Sequence, residues 1–152
     1  MPLELRLEPV TKQNVVAACR LKVRPDQEDL VAPVAWSLAL AYTMPDIAWP
    51  RLVYVGDRLA GFVLAAFAPH QENPLYHSFL LRLNVDAEHQ GRGAGRFAVE
   101  AVCQEARLRG NHRLTVSYLP GQHGPDGFYR RLDFQPTGAY LQNEVVAERS
   151  LS

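Results

Sequence analysis

The stretch "NVDAEHQGRGAGRFAVEAV", residues 84–102, sets Gly91, Gly93 and Gly95 among Arg92 and Arg96. The run before it, "YHSFLLRLNVD", alternates, and the pattern predicts a strand with Phe79, Leu81, Leu83 and Val85 on one face. The run after it predicts a helix from about Gly93 to Arg109, with Ala94, Phe97, Ala101 and Leu108 on one face and Gly110 as its stop. A strand that ends in a glycine loop opening a helix is an arrangement for binding anions. The first helical turn has unpaired N–H groups, and the helix dipole places partial positive charge there. Glycine lets a phosphate approach the backbone with no Cβ in the way.

Two common phosphate motifs fail at one named position. A dinucleotide fingerprint G-x-G-x-x-G counted from Gly91 needs a glycine where Arg96 stands, and it belongs after a first strand. A P-loop also needs its second glycine at Arg96, followed by Lys and Ser or Thr.

Working outward, residues 3–7 alternate as a half-buried strand, with Leu3, Leu5 and Leu7 on one face. A helix follows Thr11, a candidate N-cap, with Val15, Cys19 and Val23 on one side, and Pro25 breaks it. "PDQEDL" is a polar turn into a second helix with Pro33 in its first turn. Val31, Val34, Leu38, Ala41 and Tyr42 repeat with helical spacing toward a core, while Trp36 and Leu40 share the opposite side. Pro45 ends this helix and Pro50 closes a short loop. "RLVYV", "GD" and "RLAGFVLAAF" predict a β-hairpin turning at Gly56-Asp57, its second arm apolar enough for a strand covered on both faces. After the glycine helix come the strand "RLTVSYL", a loop, the short helix "FYRRL" and two last strands. The order β-α-α-β-β-β-α-β-α-β-β defines one mixed α/β domain over residues 1–152.

Composition narrows the function classes. Acidic and basic residues balance at 16 each, so nothing suggests general binding to nucleic acid or to an anionic membrane. No apolar run reaches the roughly 18 residues of a membrane span, and the N-terminal residues lack a signal-peptide pattern, so a cytoplasmic protein is expected. Cys19 and Cys103 read as reduced packing residues. Among His70, His77, His89, His112 and His123 no pair has helical metal spacing, and no Cys-x-x-Cys exists, so no metal is expected.

The segment Gln90-Gly-Arg-Gly-Ala-Gly95 resembles the Q/R-x-x-G-x-G/A motif of the GCN5-related N-acetyltransferases (GNAT), which bind acetyl-coenzyme A. "FYRRLDF" resembles that family's second signature, FYxxxGF, and the element order is also the family's. "DQEDLVAPVAWSLALAY" and "SYLPGQHGPDGFYRR" are similar, more narrowly, to a bacterial branch of diamine or spermine/spermidine acetyltransferases. The resemblance implies a mainly antiparallel, twisted sheet flanked by helices. Its strands around residues 76–86 and 112–118 would run parallel at the centre and splay apart at one end. The backbone of Gln90, Gly91, Arg92, Gly93, Ala94, Gly95 and Arg96 would hold the coenzyme's pyrophosphate. Leu83, Asn84 and Val85 would pair with its pantetheine arm, and Phe128 would pack beside the site. Gln122 stands where many relatives have an asparagine that bonds pantetheine, and Asp133 stands where the signature has a glycine.

The same resemblance makes Tyr129 the phenol that donates a proton or hydrogen bond to the departing thiolate. The plainer alternative is that Tyr129 belongs to a helix face packed on the sheet. For a cationic amine the candidate carboxylates are Glu28, Asp29, Asp86, Glu88 and Glu144, with Glu28 and Glu144 taken as acceptor residues; an ordered water chain is the other candidate base. Trp36 and Tyr42 sit on the helix that in this family borders the acceptor cleft. The expected activity is acetyl transfer to a small amine, a polyamine or diamine by branch resemblance. An antibiotic amine, a protein terminus and a non-catalytic acyl-coenzyme A sensor are the alternatives. Many relatives form homodimers, and that assembly is open to this chain.

Overall fold

The computed structural model describes residues 4–121 and 124–152. Leu3, Gln122 and His123 therefore lie outside the described residues. The elements are β1 (Leu5–Pro9), α1 (Val15–Cys19), α2 (Val34–Tyr42), β2 (Ala48–Val55), β3 (Arg58–Phe67), β4 (Ser78–Val85), α3 (Ala94–Leu108), β5 (Arg113–Tyr118), α4 (Asp126–Arg131), β6 (Gln135–Leu141) and β7 (Glu144–Ser150). Their order is the one read from the sequence. The strands form one sheet ordered β1-β2-β3-β4-β5-β7-β6, antiparallel throughout except for the parallel pair β4–β5. Among the described residues no helix is long and apolar enough to cross a membrane.

Two apolar clusters cover the two faces of the sheet. One joins Val63, Ala65, Leu80 and Val116 to Val99, Val102 and Cys103 of α3 and to Tyr129 and Leu132 of the α4 segment. The other joins Leu52, Phe62 and Leu64 to Ala18 of α1 and Val34 and Ala41 of α2. The nearly unbroken burial of β3 explains its apolar sequence, because alternate side chains feed opposite clusters.

Several expected faces are corrected. In β4, Leu64 pairs with Arg82 and Ala65 with Leu80, so Leu81 is an extra residue in a β-bulge. The bulge breaks the expected alternation: Leu80, Leu83 and Val85 join the α3-side cluster and Leu81 the opposite one. In α3 the buried residues are Ala94, Ala98, Val99, Val102, Cys103 and Ala106, whereas Leu108 is exposed. This stripe of mostly small residues lets the helix lie close on the sheet. Tyr42 is exposed rather than core-facing, and Ser37 is buried in its stead. In α1 the buried residue is Ala18 and Cys19 is exposed; the cap residue is Asn14, with Thr11 in the turn before it. Pro50 lies inside β2, not in a loop. Opposite it β1 has ended, since Pro9 pairs with Arg51, so no N–H is needed there.

Gly110 ends α3 as the sequence indicates. It adopts φ +83°, and the N–H groups of Gly110 and Asn111 donate to the carbonyls of Arg107 and Ala106, both at 2.9 Å. A Cβ at Gly110 meets nothing within 4 Å, so substitution costs backbone strain alone. Gly110→Ala should lower the unfolding free energy in urea by about 1 kcal/mol. An unchanged midpoint would show that this turn relaxes without strain.

Candidate active site

The site begins where β4 and β5 part. Their register pairs are Phe79–Thr115 and Leu80–Val116. Beyond these the strands continue to Val85 and Tyr118 without pairing each other, and each stays bonded to its outer neighbour, β3 or β7. The splay expected from the sequence is present. A cleft of about 1060 Å³ occupies the gap and continues along the segment before α2.

The three glycines have two different physical reasons. Gly91 (φ +78°) and Gly93 (φ +87°) take left-handed backbone, and a Cβ on either would meet nothing. Gly95 is helical. A Cβ there would come within 3.2 Å of the Phe128 ring and 3.5 Å of Val85. The glycine therefore lets α3 start hard against both β4 and α4. No side chain caps this helix, whose first outside bond runs from Phe97 N–H to Gly93 O at 2.9 Å. None of the N–H groups from Gln90 to Arg96 finds an acceptor among the described residues. That is an anion cradle with its donors free.

Gln90 does more than lend its backbone. Its Nε2 donates to Val85 O at 3.0 Å and to Gln27 Oε1 at 2.5 Å, and Gln27 Nε2 donates back to Gln90 Oε1 at 3.1 Å. This reciprocal amide pair ties the end of β4 to the segment before α2. No local pattern in the sequence announces it, because the partners are far apart in the chain.

Tyr129 is buried, and its ring is packed on three sides. Tyr118 lies parallel to it at 5.5 Å, and Phe128 and Phe134 meet it edge-on at 5.0 and 5.5 Å. Its hydroxyl has no hydrogen-bond partner among the described residues. Burial pushes its pKa well above the ordinary tyrosine value, with smaller contributions from Tyr118 and Glu144. Asp133 adopts φ +69°, the left-handed geometry that a glycine would supply in the signature, and Phe134 N–H then donates back to Tyr129 O at 3.0 Å.

Of the residues singled out from sequence, Leu83, Val85, Gln90, Gly91, Gly93, Ala94, Gly95, Arg96, Phe128, Tyr129, Glu28, Trp36 and Glu144 line the cleft. Asn84 does not. Its side chain is buried on the α2 side, where Nδ2 donates to Ala32 O at 3.0 Å. Arg92 stands outside the cleft lining, as does Tyr42 at the end of α2. Gln122 lies outside the described residues. Among the other carboxylates, Asp29 lines the cleft, but Asp86 and Glu88 do not. Asp86 instead accepts from the N–H groups of Lys22 and Glu88 and lies 3.4 Å from His89 Nδ1. It fastens the strand end.

Sequence reading missed Tyr118, Ser117 and Arg82 in the lining. Tyr118 O–H donates to Asp126 Oδ1 at 2.8 Å, and Ser117 O–H donates to Glu144 Oε1 at 2.7 Å. The available signal was their place at the end of the strand that precedes the Phe-Tyr helix.

Comparison with known proteins agrees with this geometry. A model of the acetyltransferase (GNAT) family matches residues 23–134. No curated protein matches the sequence significantly. An acetyltransferase structure from Thermus thermophilus is similar at 23% identity, covering 98% of both chains, with a TM-score of 0.73. The ribosomal-protein-S18-alanine N-acetyltransferase of Escherichia coli is similar at 14% identity, covering 98% of this chain and 95% of its own, with a TM-score of 0.72. The PaiA N-acetyltransferase of Thermoplasma acidophilum, solved with coenzyme A, shares 10% identity over 97% of this chain and 99% of its own, with a TM-score of 0.69. At these identities the structures show the shared fold. The family match spans most of the chain and takes in both the glycine loop and Tyr129: this protein belongs to the acetyltransferase (GNAT) family.

Proposed function

We propose that the cleft binds acetyl-coenzyme A and that the protein acetylates a primary amine of a small cationic acceptor in a ternary complex. The observation that carries this reading is the run of free N–H groups from Gln90 to Arg96, opening on the same cleft as the buried hydroxyl-bearing Tyr129. The residues fit the group. Left-handed Gly91 and Gly93 leave the backbone bare, and the inner edges of β4 and β5 are unpaired where an extended arm would lie. Bound acetyl-coenzyme A supplies the thioester, whose acyl carbon gains a bond to the amine nitrogen as the carbon–sulfur bond breaks.

Tyr129 supplies a hydrogen bond to the leaving sulfur. Burial keeps its phenol protonated far into the alkaline range, so at neutral pH it acts only as a donor. A departing thiolate with a conjugate-acid pKa of about 8.5 is a much weaker base than that phenolate, so Tyr129 stabilises it by donating a hydrogen bond, and the proton that completes the thiol is the one the amine gives up. Glu28 and Asp29 on one wall, and Glu144 on β7, supply negative charge for an incoming ammonium. Those carboxylates, with the branch resemblance of the segments around residues 26–42 and 117–131, support a diamine or polyamine acceptor. A second reading rests on Arg82. It is half-buried in the lining, forms no ion pair among the described residues, and donates from Nη1 to Leu81 O at 2.8 Å. A guanidinium so placed favours an amine that also carries an anionic group.

Tyr129→Phe should lower kcat by about 100-fold and leave the KM for acetyl-coenzyme A nearly unchanged. Unaltered turnover would remove Tyr129 from the mechanism. Thiol release across spermidine, spermine, short diamines, aminoglycosides and amino acids should be greatest with the polyamines. Preference for amino acids, abolished in Arg82→Gln, would install the second reading. Tight coenzyme binding with no acetylation of any amine would mark a sensor.

The two stacked tyrosines also set an alkaline limit. Burial, and then the bond to Asp126, pushes Tyr118 up to about 12, and Tyr129 is raised as well. An unfolded tyrosine loses its proton at about pH 10. Between there and about 12 the folded state holds more protons than the unfolded one, so stability falls as pH rises. Urea midpoints should drop from about pH 9 to about pH 11, and less steeply in Tyr118→Phe. Parallel curves for the two proteins would refute this assignment.

A further inference from the structure

We propose that Tyr118 is a positioning residue that holds the Tyr129 ring in register for acetyl transfer, an inference that rests on reading Tyr129 as the hydrogen-bond donor to the leaving sulfur. Tyr129 has no hydrogen bond to orient its hydroxyl among the described residues. Its aim comes from packing alone. Phe128 and Phe134 stand at 73° to the ring, and only Tyr118 is stacked on it, with planes 17° apart. The tilt of the Tyr129 ring, and with it the position of the hydroxyl, therefore depends on where the Tyr118 ring sits.

Tyr118 is itself placed where the sheet gives least help. It ends β5, two residues past Val116, the last residue that pairs with β4. Pairing with Val145 of β7 holds its outer side. The inner side faces the cleft. There the hydroxyl reaches across and donates to Asp126 Oδ1 at 2.8 Å. Asp126 is the first residue of α4, the helix that carries Tyr129, and its carboxylate also accepts from Arg130 Nε at 2.9 and 3.1 Å. The result is a closed frame. The end of β5 is pinned to the start of α4 by Tyr118–Asp126, and the two tyrosine rings stack inside it. A tie between these elements fixes one lip of the splay relative to the donor hydroxyl without touching the reacting atoms.

The frame makes Tyr118 and Tyr129 act as one unit, and a double-mutant cycle reads this directly. Tyr118→Phe keeps the stacking ring and cuts the tie. It should lower kcat about fivefold, the effect expected of one lost hydrogen bond, with the KM for acetyl-coenzyme A unchanged. Asp126→Ala cuts the same tie from the more exposed side and should reproduce the loss without touching a buried ring. Asp126→Asn keeps an acceptor oxygen and should retain most of the activity. In a Tyr129→Phe background neither Tyr118→Phe nor Asp126→Ala should cost anything further. Equal losses in both backgrounds, or no loss from either variant alone, would overturn the positioning role while leaving Tyr129 as donor. Wild-type turnover in Tyr129→Phe would overturn both.

Discussion

The parting of β4 from β5 is the constraint on which the site depends. Two adjacent parallel strands ordinarily bond along their shared length, and unpaired backbone groups shut away from water are costly. Here the shared pairing stops at Leu80–Val116. The strands remain extended because their outer sides are fully used: β4 pairs with β3 as far as Gly61–Val85, and β5 pairs with β7 as far as Tyr118–Val145. Each strand is stabilised from outside and left open on the inside. The open edges face a water-accessible cleft, which satisfies them until a ligand with its own amide groups takes the place of water.

The helices at the two lips of that gap are fixed by different means. At the β4 lip, Gly95 removes a Cβ that would crowd Phe128 and Val85, so α3 begins in contact with the strand it follows. Gln90 fastens the strand's last carbonyl and links it through Gln27 to the segment before α2. The glycine-loop wall of the cleft and the wall before α2 are thereby joined by one pair of side-chain amides. At the β5 lip, the Tyr118–Asp126 bond does the corresponding work for α4. Both ties are polar, both cross between separate elements, and both leave backbone N–H groups and the Tyr129 hydroxyl free for a ligand.

Element order was legible because strands and helices here carry strong periodicity, and because glycines stand at the turn at Gly56 and at the end of α3 at Gly110. The splay and the acetyltransferase family followed from the glycine loop and the Phe-Tyr segment together. Side-chain direction was less legible. The bulge at Leu81 adds one residue without any change in composition, so the alternation counted across it failed from that point. Tyr42 repeats correctly for the apolar face of α2, but the helix ends there and the sheet no longer reaches it. In α3 the large residues suggested one face, whereas alanines packed close to the sheet define another. Asn84 has strand periodicity like its neighbours, yet its amide serves Ala32 on the far side. Gln27 gave no signal, and for Tyr118 only its place at the end of β5 did, because a side-chain bond across the fold has no local pattern.

The burial of Tyr129 fixes its protonation state. A phenol held protonated by desolvation can give a proton but cannot take one from an ammonium at neutral pH. The amine's proton must therefore leave by another route. Glu144 is on the same side of the cleft, held by Ser117 O–H, and its charge is one of the causes that raise Tyr129. A carboxylate in that place acts in the same direction as burial, keeping the phenol protonated. Desolvation by the packing around the Tyr129 ring and the nearby charge of Glu144 thus hold one phenol in its neutral form together.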